Sequence, residues 1–223
     1  MGIVGLGLIG QVHIKNLRRG GIRGIELAAI CDERPEALAS HPDLRAFTHP
    51  GEMFRSGAID AAIIATPHFT HAALGIEALR AGLHVMVEKP ITAHKAEAER
   101  LLAAHTNPRQ VFAAMLNQRT HPGFRQVRDW IREGRLGRIQ RLNWIVTDWF
   151  RPDAYYTSAS WRATWAGEGG GLLLNQALHQ LDIVWWLLGD VRSVRAHCGF
   201  GRHHRIEVED EVTAYLEFAN GAT

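Results

Sequence analysis

The sequence predicts an α/β domain with a doubly wound parallel sheet, followed by an α+β domain whose mostly antiparallel open sheet is incomplete. Three observations predict it. Through the first half, short segments apolar at nearly every position alternate with helical periods. Strands apolar on both faces belong to parallel sheets covered by helices. A glycine loop, Gly5-Leu6-Gly7-Leu8-Ile9-Gly10, joins the first apolar segment to the first helical period. Beyond Pro122 the pattern changes to long alternating segments and two helices, the signature of an antiparallel α+β unit.

The elements follow in order. Strands are expected at residues 2–5, 26–31, 61–65, 84–87 and 111–116. Helices are expected at 8–18, 35–39, 71–81 and 95–104, with Gly82 as a C-cap. In the second half a helix spans 122–133, with Pro122 in its first turn and Gly134 past its end. A long strand is expected over 137–150, where Leu142, Trp144 and Val146 alternate with Arg141, Asn143 and Thr147. Gly169-Gly170-Gly171 opens a second helix over 172–188, and strands follow at 191–200 and 211–219. Domains of 1–116 and 117–223 result. Asn220-Gly221 is a two-residue hairpin turn that calls for a return strand. Only Ala222 and Thr223 follow it, so the chain is expected to be truncated, with its second sheet cut off.

Composition narrows the class. The 223 residues are 46% hydrophobic and 22% charged, as in a globular protein able to form two domains. No apolar run approaches the roughly 20 residues that span a bilayer, so no membrane partner is expected. The chain opens directly on a fold motif, and two cysteines cannot form a disulfide framework. A cytoplasmic protein without a secretory signal is therefore expected. Cys31, at the end of an apolar strand, reads as a buried, inert thiol. The net charge of +2 divides evenly, with 12 basic and 11 acidic residues up to Leu116, and no basic face points to nucleic acid.

The glycine loop matches G-x-G-x-x-G, the Rossmann fingerprint. Gly5 permits the tight turn, Gly7 lets backbone approach a pyrophosphate, and Gly10 lets the helix pack on the sheet. Leu8 and Ile9 carry the first N–H groups of the helix, which face phosphate charge. Asp32 ends the second strand 22 residues after Gly10, the spacing of a carboxylate on the adenosine ribose. Its other reading is a cap for the next helix. Arg34 is placed to meet a 2′-phosphate, which Asp32 would repel. NAD is therefore the expected cofactor, with NADP as the alternative.

Four patches then carry a resemblance: GLGLIG, IIATPHFTHAALGIEALRAGLHVMVEKP at 63–90, LNQRTHPGF at 116–124 and WRATWAGEGGGLLLNQALHQLD at 161–182. Together they closely resemble the Gfo/Idh/MocA family of NAD(P)-dependent oxidoreductases, which act mainly on sugars and polyols. The resemblance runs along nearly the whole chain and implies that about a third of a full-length member is absent. Alcohol oxidation needs a hydride acceptor and a base for the hydroxyl proton. Lys89, just past an apolar strand at the carboxyl edge of the sheet, suits that base; otherwise it is a solvated loop charge. Glu88 reads as a cofactor-side residue that orients ribose or Lys89. The resemblance implies that Thr66 and Pro67 line the dinucleotide, with His71 one helical turn further on. His68 and His71 lack a carboxylate or cysteine ligand set, so no metal is expected.

On the second helix Asn175, His179, Asp182 and Trp186 share one face, while Leu174, Leu178, Leu181 and Trp185 supply its buried side. The resemblance makes His179 the acid/base group, with Asn175 standing where many relatives have aspartate. Asparagine can orient a hydroxyl or the imidazole but cannot stabilise an imidazolium by charge, which leaves the main base open between His179 and Lys89. Trp161-Arg162 resembles the family's nicotinamide- and substrate-facing pair. Asn117 is expected on the cofactor side. Arg119 and Arg162 are candidates for a substrate phosphate or carboxylate, or for surface ion pairs. Trp144, Trp149, Trp161, Trp165, Trp185 and Trp186 read as core and cleft wall.

The expected function is hydride transfer between NAD(P) and a hydroxyl or keto carbon of a sugar, polyol or sugar derivative, with Lys89 and His179 flanking the reacting carbon. Two other readings stay open: a glycoside hydrolase that keeps its NAD and oxidises the sugar transiently, and a non-catalytic NAD-binding protein. The full-length protein is expected to be a homo-oligomer.

Overall fold

The structure, a computed structural model, describes residues 1–20, 22–147 and 150–223. The chain divides into two compact units, Met1–Met115 and Leu116–Thr223.

The first unit is a six-stranded, wholly parallel sheet. Its strands are β1 (Gly2–Val4), β2 (Ala29–Cys31), β3 (Arg45–Phe47), β4 (Ala61–Ile64), β5 (His84–Val87) and β6 (Phe112–Ala114), in the order β3-β2-β1-β4-β5-β6. Because side chains alternate along each strand, the sheet has two apolar faces. Val4, Cys31, Ile64 and Val87 pack with Met53, Phe54, Leu79 and Leu101, carried by α3 (Pro50–Arg55), α4 (His71–Arg80) and α5 (Lys95–Ala104). On the other face Ile3, Ile30 and Ile63 meet Ile14, Leu17 and Leu38, from α1 (Leu8–Arg18) and α2 (Pro35–Ala39). Each fully buried side chain of this size contributes about 1.5–3 kcal/mol. This is the doubly wound order, with its switch point between β1 and β4.

Two elements of this unit escape the sequence pattern. β3 is an edge strand whose Arg45 and Ala46 are exposed, so no apolar run marks it. α3 is a six-residue helix that starts on Pro50 and buries only Met53 and Phe54, too short to show a helical period. Cys31 is 1% exposed. Burial, reinforced by the neighbouring charges of Asp32 and Glu52, pushes its thiol pKa up to about 12, which makes it inert.

The second unit contains α6 (Pro122–Arg132), a short α7 (Asp153–Tyr156), α8 (Leu178–Leu188) and an antiparallel pair, β7 (Val191–Phe200) with β8 (Glu209–Phe218). Residues 172–188 are not one helix. Leu172–Gln176 form a π-helical turn, in which the Ala177 N–H donates to Leu172 O at 2.7 Å, and α8 starts only at Leu178. The cause lies at the entry. The buried Glu209 carboxylate accepts from the N–H groups of Gly171 and Leu173, both at 3.0 Å, and so anchors the first turn to β8. A Cβ on Gly171 would stand 2.2 Å from Glu209 O, so only glycine allows this approach. The buried side of α8 is also corrected. Ile183 and Leu188 are buried, and Leu188 packs with Phe218 and Ala222, whereas Trp185 is 49% exposed.

The strand expected over 137–150 is absent among its described residues; Asp148 and Trp149 lie outside them. Among the described residues the segment pairs through two bonds, Leu142 N–H to Thr223 O and Thr223 N–H to Gln140 O. A strand exists by its partner, and alternation alone did not supply one. The turn at Asn220-Gly221 does form, with Gly221 at φ +85° and the Phe218 N–H donating to Ala222 O. Trp144 and Trp165 are exposed rather than core. Among the described residues no helix is long and apolar enough to cross a membrane.

Candidate functional site

Parallel register brings the ends of the strands of the first unit level. Val4 pairs with Cys31 and Ile64, and Ile64 with Val87. The residues that follow, Gly5, Asp32, Ala65 and Glu88, therefore line one carboxyl edge, where open α/β sheets bind ligands.

Gly5 takes φ +91°, and a Cβ there would lie 2.5 Å from Ala65 O. At Gly10 it would lie 2.0 Å from Gly5 O. At Gly7 it would meet nothing within 4 Å. Gly5 and Gly10 thus satisfy packing inside the protein, while Gly7 borders open space. Gly7 also caps α1 without a side-chain hydrogen bond, and the first turn holds no acidic residue. The opening N–H groups of a helix have no intrahelical acceptor, so those of Leu8, Ile9 and Gly10 suit an anion. This uncapped, uncharged end beside an open glycine fits a dinucleotide pyrophosphate. Leu8 and Ile9 are 70% and 42% exposed on the same rim.

Asp32 is buried, with donors all round. Its Oδ2 accepts from Leu6 N–H at 2.7 Å and Arg34 Nη2 at 3.1 Å. Its Oδ1 accepts from Arg34 N–H at 3.0 Å and Nε at 2.9 Å. Burial pushes its pKa up, but Arg34 and the Leu6 N–H outweigh it and hold the carboxyl below its ordinary range.

Lys89 is half-buried at the same edge, and its peptide bond to Pro90 is cis. Its N–H donates to Glu88 Oε2 at 3.0 Å. Glu88 Oε1 accepts from His13 Nε2 at 2.7 Å. His13 was missed from the sequence, since on α1 it looks like any polar helical residue. In the fold it ties the glycine-loop helix to the segment that carries Lys89. Thr66 and Pro67 border the edge, with Thr66 Oγ1 accepting from the Thr70 hydroxyl at 2.6 Å.

His71 does not reach the rim. It is 0% exposed, with Nδ1 2.8 Å from Pro90 O and Nε2 2.8 Å from Thr66 O. The buried ring stands against the backbones of the two loops that follow β4 and β5 rather than at the rim, and a neutral imidazole donates to only one of the two carbonyls. Burial lowers its pKa against the pull of both carbonyls.

In the second unit, Arg119 lies on a 3-10 turn, Asn117–Thr120, that begins with the exposed Asn117. Its guanidinium forks onto Asp182, Nε to Oδ2 at 2.8 Å and Nη2 to Oδ1 at 2.6 Å, beside the rings of Trp185 and Trp186. The ion pair, rather than a free anion-binding guanidinium, is what the geometry contains. Arg162 donates through Nη1 to Tyr155 Oη at 2.6 Å and stacks 4.7 Å from the Trp161 ring. Asn175 sits on the π turn and donates to Tyr155 Oη at 3.3 Å and to Glu168 Oε1. His179 opens α8 beyond that turn, so the shared face holds only for His179, Asp182 and Trp186. Tyr155 and Glu168 were also missed. A tyrosine in a turn and a glutamate beside three glycines carry no periodic signal.

Residues 1–115 match the model of the oxidoreductase family with an NAD-binding Rossmann fold, and residues 124–223 match the GFO/IDH/MocA C-terminal domain. The WlbA dehydrogenase from Bordetella pertussis, solved with NADH and UDP-GlcNAcA, superposes with a TM-score of 0.90 at 36% identity, covering 99% of this chain and 68% of that one. The rhizopine catabolism protein MocA of Rhizobium meliloti is 30% identical over 85% of this chain and 57% of its own length. The myo-inositol 2-dehydrogenase of Thermotoga maritima is 25% identical over 85% of this chain and 55% of its own. The chain thus spans little more than half the length of these two relatives. One model spans the glycine loop and the carboxyl edge and the other the unit that holds Asn175 and His179, so the chain belongs to the Gfo/Idh/MocA family.

Proposed function

We propose that this chain carries the dinucleotide site and much of the catalytic machinery of an oxidoreductase that acts on a hydroxyl or keto carbon of a sugar, polyol or sugar derivative. The observation that carries the reading is the shared carboxyl edge, where the open Gly7, the ribose-type carboxylate Asp32 and Lys89 follow β1, β2 and β5, whose ends are level in register. NAD is the proposed cofactor, because Asp32 is anionic and disfavours a 2′-phosphate. When bound it supplies the hydride acceptor.

The chain's own residues do the rest. The N–H groups of Leu8, Ile9 and Gly10 hold the pyrophosphate, and Asp32 receives ribose hydroxyls. Glu88, braced by His13, fixes the backbone at Lys89 so that Nζ meets the substrate oxygen. Lys89 and His179 are the proton-handling groups, with Asn175 orienting a hydroxyl; Asn117, Trp161 and Arg162 border nicotinamide and substrate. Relatives that include an inositol dehydrogenase and a structure holding a nucleotide sugar acid support the substrate class. Homo-oligomerisation of the full-length protein belongs to the same reading, supported by the exposed Val194 and Tyr215 on the β7–β8 pair. Sedimentation as a monomer would remove it.

The test is a panel of sugars, polyols and nucleotide sugars, followed by nicotinamide absorbance with NAD and NADP in parallel. Lys89→Ala is expected to lower turnover by at least about a hundredfold while NADH affinity changes little. Unchanged turnover removes Lys89 from the mechanism. Sugar release without net NADH would instead identify a hydrolase.

A further inference from the structure

Asn175 occupies the position where the family resemblance leads one to expect an aspartate, yet a buried carboxylate stands against it. Glu168, 2% exposed, reaches Asn175 from the turn that follows Trp161-Arg162. Its Oε2 accepts from the Ala163 N–H at 2.6 Å, within a turn where Ala163 takes φ +54°. Its Oε1 accepts from the Asn175 amide, and a second bond from that amide runs to Tyr155 Oη. Tyr155 is itself held by Arg162, whose guanidinium lies 4.3 Å from its ring centre.

The chemistry of these groups fixes the amide. A carboxylate only accepts, so the part of Asn175 that faces Glu168 is its NH2. Both N–H bonds of that NH2 are committed, one to Glu168 and one to Tyr155. Towards any further group Asn175 therefore acts only through Oδ1, and only as an acceptor. Without Glu168 the amide could turn over and present a donor instead.

We propose that Glu168 is a positioning residue for substrate. It supplies the negative charge that residue 175 lacks, and it locks Asn175 so that Oδ1 receives the proton of a donor hydroxyl on a sugar or polyol. The assignment rests on the oxidoreductase reading above. It also explains how asparagine serves here: the carboxylate stands across one hydrogen bond, at a position with which the amide can be exchanged.

That exchange is the experiment. On the full chain, Glu168→Gln, Asn175→Asp and the double variant are compared using myo-inositol and UDP-GlcNAcA as probes with NAD. Glu168→Gln frees the amide, and Asn175→Asp sets two carboxylates in contact. Each is expected to lower kcat roughly tenfold to a hundredfold, with NADH affinity unchanged. The double variant remakes the pair in reverse: the introduced glutamine accepts from the Ala163 N–H through its carbonyl oxygen, and its NH2 donates to the introduced aspartate. It is expected to recover most of the lost kcat. A cycle that closes in thermal midpoint but not in kcat would overturn positioning and leave Glu168 a structural cap.

A second readout does not depend on turnover. In the nitrogen-labelled chain, the Asn175 side-chain amide is expected to exchange slowly with solvent, and Glu168→Gln is expected to abolish that protection. An amide unaffected by Glu168→Gln overturns the proposal whatever the kinetics. Should the wild-type chain oxidise neither probe nor any of the wider panel, the oxidoreductase reading fails, and the amide signature alone decides the lock.

Discussion

The carboxylate of Asp32 offers about four lone-pair sites, and four N–H donors reach it, three of them from Arg34. A ribose hydroxyl can donate to Asp32 only by displacing or sharing one of these, and Arg34, with 52% of its side chain exposed, is the one free to move. In the proposed site Arg34 would then be a counter-charge that softens the rejection of a 2′-phosphate. Arg34→Ala is expected to weaken NADPH binding about tenfold, the value of one charged hydrogen bond, while NADH binding changes less than about threefold. Fluorescence titration with each nucleotide checks this, and equal losses for both would refute it. His71 yields a pH prediction. Its folded pKa lies below the ordinary 6.5, so the unfolded chain binds the extra proton first as pH falls. The stability that neutral His71 contributes is complete above that value and declines on acidification towards the lower folded pKa. His71→Gln, which keeps one donor for a carbonyl, removes the titration. Urea midpoints of the two proteins should therefore converge between about pH 7.5 and about pH 5.5. A constant gap would show that His71 does not titrate with folding.

At the level of elements, α1 shows how differently three glycines in one motif behave. A methyl at Gly10 collides with Gly5 O, whereas at Gly7, with φ −68°, it meets open space. Gly10→Ala is expected to destabilise by about 1–3 kcal/mol through overpacking, read as a lowered thermal midpoint. Gly7→Ala should leave stability within about 0.5 kcal/mol yet cut NADH affinity at least about tenfold, because the methyl occupies the pyrophosphate's approach. A Gly7→Ala protein that binds NADH normally would move the phosphate away from this loop. The same contrast explains what was legible. α1, α4 and α5 run ten or eleven residues, long enough for a helical period to show in the sequence. β3, with three residues at an exposed edge, and α3, with six, are too short to leave a trace. The break between the π turn and α8 comes from Glu209, more than thirty positions along the chain, and no local pattern encodes it. His13, Tyr155 and Glu168 were invisible for the same reason, since each acts through a partner distant in sequence or across a turn. The candidate residues open to a reading from sequence were the glycines and Asp32, through their spacing, and Lys89, through its place past an apolar strand and the family resemblance.

For the whole molecule, the consequential fact is that the first unit contains everything its sheet needs. Both faces are covered by its own helices, and the glycine loop, Asp32, Thr66, Glu88 and Lys89 all lie within Met1–Met115. Residues 1–115 expressed alone are therefore expected to unfold in one cooperative transition. They should bind NADH within about tenfold of the whole chain, since the proposed pyrophosphate and adenosine contacts all lie in this unit. The proposed nicotinamide-side residues Asn117, Trp161 and Arg162 belong to the second unit, and their loss should appear as that modest difference and as absent turnover. Calorimetric titration of the fragment and the whole chain side by side measures both quantities. A fragment that folds cooperatively but fails to bind would mean that the carboxyl edge alone does not hold the dinucleotide. In that case the share assigned to the uncapped end of α1 and to Asp32 must pass to residues of the second unit.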